Sequence, residues 1–305
     1  MLDVSSEQQS SDRSIRHILT DLKLLVKGFV LIANALPILS GFWLALYFTQ
    51  TSFFANWELF LNTLIGGTLV MAGALILNNW YEVDLDTEMT RTQQRPTVTG
   101  NFSMKAVLAM GIAASILGHV ILLFTTLEAT VYAFLGWFTY VVLYTFWSKR
   151  KYTLNTVIGS VSGAFTPLIG WAAVTSAWHI VPVVLFLVLF IWQIPHTFAI
   201  AMRRHDEYKA ANVPMLPVVY GFQVTKLQSL VYILCLLPLP LLLPALGTTF
   251  IVIVTLLNIG WIILAIRGFT MQDDIKWANY MFYYSLTYLT VFFVGMIILT
   301  LPLFV

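Results

Sequence analysis

Nine stretches of this chain stay apolar over about 18 to 25 residues, the length a helix needs to cross a hydrocarbon core of roughly 30 Å. Inside a bilayer no water satisfies the backbone, so such segments have to close their own hydrogen bonds as helices. The stretches fall at roughly 28 to 48, 59 to 79, 104 to 125, 130 to 147, 154 to 174, 180 to 201, 226 to 246, 249 to 266 and 281 to 303. They predict an all-α membrane protein of nine transmembrane helices. Composition agrees: 59% of residues are hydrophobic, against roughly 45 to 50% apolar content in soluble domains. Pro238, Pro240 and Pro244 predict a kink in the seventh span.

Charge placement tests the count, because adding or losing a span would move every later loop across the membrane. With nine spans all 16 Lys and Arg fall on one side. The positive-inside rule makes that side the cytoplasm, with the N-terminus cytoplasmic and the C-terminus outside. Of the 14 acids only Glu58 and Glu128 lie on the far side. The basic face also attracts an anionic substrate approaching from the cytoplasm.

Residues 1–23 are polar and Ser-rich and lack the apolar core of a signal peptide, so they read as a disordered cytoplasmic tail ahead of one membrane domain, 24–305. Their acids also argue against a mitochondrial transit peptide and point to a bacterial plasma membrane. The single Cys235 cannot form an intrachain disulfide and is expected to be a small buried apolar residue.

Only 10% of the residues are charged, which makes their clusters informative. Asn78, Glu82 and Asp86 follow the second span at i, i+4 and i+8, a drift of about 40° per step that leaves them on one helix face. Acids at a helix C-terminus oppose the macrodipole, and a bound cation would resolve the conflict. Oxygen ligands suit Mg2+, which bridges carboxylates to a phosphate or diphosphate. Arg91 and Arg95 follow, positioned for phosphate oxygens. Asp84 and Glu88 lie on another part of the surface.

A second cluster after the sixth span carries Arg203, Arg204, His205, Asp206, Glu207 and Lys209. Both clusters trail even-numbered spans, so they can face one cytoplasmic cavity and hold metal on either side of a diphosphate leaving group. A third group, Lys149, Arg150 and Lys151, suits phosphate, although orientation alone also calls for bases there. His196 follows Pro195 near that end of the sixth span, where it could ligate a porphyrin iron, move a proton or serve structure. His119 and His179 read as structural. Trp80, Tyr81 and Trp192 could stabilise a carbocation through their π faces.

Asn78, Glu82 and Asp86, followed by Arg91 and Arg95-Pro96, resemble the first acidic motif of the intramembrane prenyltransferase superfamily, with Glu82 where the pattern usually has Asp. GAFTPLIGW at 163–171, WQIPH at 192–196 and AANVPMLP at 210–217 resemble its protoheme IX farnesyltransferase branch. The resemblance implies nine helices around a central cavity opening to the cytoplasm, Mg2+ as cofactor, and transfer of a farnesyl group from farnesyl diphosphate to the 2-vinyl group of protoheme IX (heme B), giving heme O. It assigns Asn78, Glu82, Asp86, Asp206 and Glu207 to metal and diphosphate, and Arg91, Arg95, Lys149 and Arg150 to phosphate. His196 and Trp192 are its candidate heme contacts. The family's usual acidic order before Tyr208 is reversed here, leaving open which of Asp206 and Glu207 holds metal.

Two other readings stay open on sequence. A sister enzyme acting on a quinone or phenol would share every diphosphate residue. A multispan transporter would need access from both faces and spans unwound at mid-membrane; the outer loops are nearly uncharged and no span pair looks unwound. A heme product that partitions into lipid leads us to expect handover to a downstream heme-modifying or oxidase-assembly protein.

Overall fold

The computed structural model describes residues 4–301, with side chains from residue 15 onward. Among them are fourteen α-helices and no strand: α1 (Val4–Leu25), α2 (Gly28–Thr49), α3 (Trp57–Tyr81), α4 (Val83–Glu88), α5 (Pro96–Thr99), α6 (Met104–Leu123), α7 (Leu127–Phe138), α8 (Asn155–Ala164), α9 (Thr166–Ala172), α10 (Ile180–Arg203), α11 (His205–Ala210), α12 (Leu216–Leu236), α13 (Gly247–Arg267) and α14 (Asp274–Leu299). A π-helical stretch, Thr139–Ser148, continues α7. Eight segments are long and apolar enough to cross a membrane. The expected fifth span is instead two short helices, α8 and α9. Pro167 enters the first turn of α9, where its missing N–H costs nothing, and so marks a restart within the span. The sequence had suggested no such interruption. It lies where Gly163 and Thr166 line a cavity, the setting in which irregular backbone is tolerated at membrane depth.

The N-terminal segment is helical over Val4–Leu25; residues 1–3 lie outside the described residues. Two further expectations are corrected. α12 departs from helical geometry at Gly221 (φ 78°, ψ 176°), ahead of the expected seventh span, and the prolines within that span terminate α12 into 3-10 turns at Leu239–Leu242 and Pro244–Leu246 instead of kinking one helix. Cys235 is exposed on the outer surface of α12, not buried. Leu227, Val231 and Leu234 are exposed on the same helix, as a lipid-facing surface requires.

Two close approaches set the bundle. A Cβ on Gly170 would sit 1.9 Å from the Ile38 carbonyl oxygen, and one on Gly41 would sit 2.1 Å from that of Pro167, so α2 and α9 meet backbone to backbone. Gly73 and Gly118 do the same between α3 and α6. The main core runs through α2, α9, α10, α12, α13 and α14 and includes fully buried Trp171, Trp261 and Phe292. At the end away from the charge clusters, Glu128 Oε1 accepts from the Ala177 N–H at 2.9 Å and ties the start of α7 to the α9–α10 loop. His179 caps α10 through the Val181 N–H and stacks on Trp171.

Candidate active site

Asn78, Glu82 and Asp86 form a row although no single helix carries them. Asn78 is in the last turn of α3, Glu82 joins α3 to α4 with φ −100° and ψ 19°, and Asp86 lies within α4. The Glu82 N–H donates to Asn78 O at 3.0 Å and the Asp86 N–H to Glu82 O at 2.9 Å, so the one-turn spacing survives the junction. All three side chains are buried, and buried carboxylates need partners. Lys149 Nζ lies 2.5 Å from Glu82 Oε2, and Arg95 pairs with Asp86. Lys27 Nζ donates to Asn78 Oδ1 at 2.5 Å, while Asn78 Nδ2 donates to Thr145 Oγ1 at 3.0 Å.

The two lysines differ electrostatically. Burial alone would lower the pKa of Lys149, but the Glu82 carboxylate outweighs it and raises the group above its ordinary value. Lys27 is pushed well below the lysine range, first by burial and then by repulsion from Arg95. The carboxylates nearby are already engaged by other cations.

The second cluster meets the first through Glu207. Its Oε1 accepts from Arg204 Nη1 at 2.9 Å and its Oε2 lies 3.6 Å from Arg91 Nε. Asp206 is paired only with adjacent His205, and its side chain is fully exposed. An apolar cap holds the clusters together: Leu85 and Met89 pack against Tyr208, Ala211, Val213 and Met215. Segment 210–217 thus presses α11 onto α4. Arg150 is occupied elsewhere, with Asp84 at 2.6 and 2.7 Å and the Tyr81 carbonyl at 3.2 Å. Its hydrogen bonds hold the Asp84 carboxyl below the usual carboxylate range.

Glu82 Oε1 and Glu207 Oε2 are buried without a hydrogen-bond donor. Among the described residues no three acidic, His or Cys side chains converge on one point; Lys149, Arg95 and Arg91 are paired with Glu82, Asp86 and Glu207. Orphaned carboxylate oxygens, with the Asn78 amide one helical turn before Glu82, are of the donor type a hard divalent cation takes, with water filling its remaining positions.

A cavity with about 1000 Å³ of empty space, its open mouth included, lies among α2, α3, α7, α8, α9 and α10. Trp137, Tyr140 and Tyr144 line it, and Asn34, Gln193 and Thr197 supply polar atoms. Tyr144 links it to the charge clusters, since the Lys149 ammonium lies 5.5 Å from its ring. Gly163 leaves space for Gln193: a Cβ there would come within 2.4 Å of Nε2.

The aromatic and histidine candidates from sequence lie elsewhere. Trp192 Nε1 donates to Ser285 O at 2.8 Å, and His196 Nδ1 is 2.7 Å from Ser285 Oγ. Ser285 Oγ donates to Phe282 O, so Nδ1 carries the proton in that contact. The two rings stack at 4.7 Å and clamp α10 to α14, and neither lines the cavity. Trp80 packs near Leu25, and Tyr81 against Phe146 at 4.6 Å. Sequence reasoning missed the cavity aromatics, although Trp137, Tyr140 and Tyr144, at i, i+3 and i+7, mark one helix face. It also missed Lys27, which the sequence places ahead of the first span as one of the 16 one-sided bases.

Residues 34–287 match the UbiA prenyltransferase family. The chain is 54% identical over 296 residues to a protein named protoheme IX farnesyltransferase from Oceanobacillus iheyensis, covering 97% of this chain and 94% of that one. It is 54% identical over 283 residues to the protein of the same name from Bacillus mycoides, covering 92% of each. Among solved structures, that of digeranylgeranylglyceryl phosphate synthase superposes with a TM-score of 0.73 at 17% identity, over 92% of this chain and 98% of that one. A UbiA homolog from Archaeoglobus fulgidus bound to DMAPP and Mg2+ superposes with a TM-score of 0.66 at 14% identity, over 91% and 99%. At these identities the solved structures bear on fold.

Proposed function

The chain belongs to the UbiA prenyltransferase family, and we propose that it transfers a farnesyl group from farnesyl diphosphate to the 2-vinyl group of protoheme IX, forming heme O at a bacterial plasma membrane with the charged end cytoplasmic. One observation carries the chemistry: a buried row of metal-type ligands ringed by cations sits beside an aromatic cavity, with Tyr144 touching both. The acceptor half rests on the relatives named protoheme IX farnesyltransferase.

Arg95, Lys149 and Arg91 lie close enough to exchange their carboxylate partners for diphosphate oxygens, so the substrate arrives in a site already charged to receive it. That exchange frees Glu82, Asp86 and Glu207, which with Asn78 would hold Mg2+. Mg2+, when bound there, would neutralise the diphosphate and improve it as a leaving group. Asp206, its side chain fully exposed, is left to solvent. The allylic carbon–oxygen bond breaks with its electron pair leaving on diphosphate. Trp137, Tyr140 and Tyr144 face the resulting cation with their π systems and exclude water. The vinyl π pair then forms the carbon–carbon bond, and water adds to the cation beside the porphyrin with loss of a proton. No enzyme nucleophile is required.

A competition experiment tests the acceptor. The protein in lipid is given farnesyl diphosphate with protoheme IX and a hydroxylated benzoate together. Farnesylated heme without farnesylated phenol is expected, and the reverse would move the chain to the sister chemistry. Flux of labelled heme across sealed proteoliposomes, without prenylation, would instead make it a transporter.

A further inference from the structure

The α1–α2 turn reaches the site in a way the family motifs do not account for. Lys27, between helices ending at Leu25 and starting at Gly28, adopts φ 49° and ψ 56°. That left-handed conformation is disfavoured for a residue with a Cβ, so surrounding contacts have to hold it. They are visible. Leu25 is fully buried beside Ile76 and Val107. Its carbonyl accepts from Asn79 Nδ2 at 2.6 Å, and Asn79 is itself fully buried. The Val26 and Lys27 N–H groups donate to Leu22 O and Leu24 O at 3.0 and 3.2 Å. This scaffold sends the Lys27 side chain onto Asn78 Oδ1, an amide fixed from its other end by Thr145.

Charge is unbalanced there. Glu82 and Asp86 each have a cation, Lys149 and Arg95, whereas the partner of Lys27 is a neutral amide. A partly buried ammonium beside two other cations lacks its counter-charge. An anion entering between Arg95 and Lys149 would supply it.

We infer that Lys27 is a direct ligand of the substrate's diphosphate, and that Asn79 is the positioning residue that holds it there through the Leu25 carbonyl. The inference rests on the prenyl-transfer reading for the identity of the substrate. It makes the N-terminal helix junction one wall of the diphosphate site and gives the second asparagine of the Asn78-Asn79 pair a task of its own.

The test measures the KM for farnesyl diphosphate, the KM for heme, and inhibition by inorganic diphosphate in Lys27→Ala, Lys27→Arg, Asn79→Ala, Asn79→Ser and the double variant Lys27→Ala/Asn79→Ala. Lys27→Ala is expected to raise the farnesyl diphosphate KM and the inorganic diphosphate inhibition constant together, by about tenfold (about 1.4 kcal/mol), with the heme KM unchanged and Lys27→Arg restoring part of the loss. The Asn79 variants should copy Lys27→Ala, and the double variant should be no worse than Lys27→Ala, because one residue acts through the other. Asn79→Ser keeps the test open should Asn79→Ala fail to fold. Unchanged diphosphate constants in Lys27→Ala, or multiplying effects in the double variant, would overturn the inference. Should the wild type prenylate no heme, direct binding of inorganic diphosphate to the same variants still decides the role of Lys27, separately from the failure of the functional reading.

Discussion

Replacing Lys149 with Met keeps most of the side-chain stem and removes only the charge, leaving Glu82 as a buried carboxylate with no cation. Breaking a buried pair by deleting one partner costs about 3–5 kcal/mol. Here the side chains are 13% and 3% exposed and sit at one end of the bundle, so screening trims that to about 2–3 kcal/mol. At roughly 2–4 °C per kcal/mol for a chain of this order, thermal scanning of the purified protein in a chelator should show a fall of about 4–12 °C. Two companion measurements isolate the cause. Glu82→Gln in the Lys149→Met background removes the stranded charge and should recover most of the loss. Added Mg2+ should raise the melting temperature of Lys149→Met more than that of wild type, because the cation takes over as partner to Glu82. Equal melting of Lys149→Met and wild type in chelator, or no recovery with Glu82→Gln, would refute the exchange of lysine for metal.

Glu207→Ala should lower turnover by roughly a hundredfold, about 2.7 kcal/mol of transition-state stabilisation, while Asp206→Ala stays within about twofold of wild type because surface substitutions away from a site cost little; steady-state rates at saturating Mg2+ check the pair. Gly170→Ala would drive a methyl into the Ile38 carbonyl and should cost about 3 kcal/mol or more, read as a lowered melting temperature with α2 and α9 pushed apart. Arg150 depresses the Asp84 pKa, so that pair contributes above the unfolded-state pKa of the carboxyl and fades as pH falls through the lower folded value. Asp84→Asn should therefore narrow the small acid-induced fall in melting temperature without altering turnover at neutral pH.

The membrane class and most spans were legible because apolar length and one-sided charge act over twenty residues at a time. The broken fifth span was not, since Pro167 within an apolar run looks the same whether it bends a helix or begins one. The Asn78, Glu82 and Asp86 row could be read from its four-residue spacing, and it persisted even though the helix changes at Glu82. Which acid of the Asp206–Glu207 pair turns inward could not, because adjacent residues differ by about 100° of rotation and α11 is set by its packing against Leu85 and Met89. The hydrogen-bond partner of the Trp and His in WQIPH was not legible either, because Ser285 lies about ninety positions away. The same distance problem hid Lys27, whose partner Asn78 is 51 residues along the chain.

The most direct measurement is mass spectrometry of hemes extracted after purified protein in lipid is incubated with protoheme IX and farnesyl diphosphate, with and without Mg2+. A heme gaining one farnesyl group and one hydroxyl, only with Mg2+ present and lost in Asp86→Ala, is the predicted result. Intact protoheme IX beside folded, Mg2+-supplied protein would contradict the account.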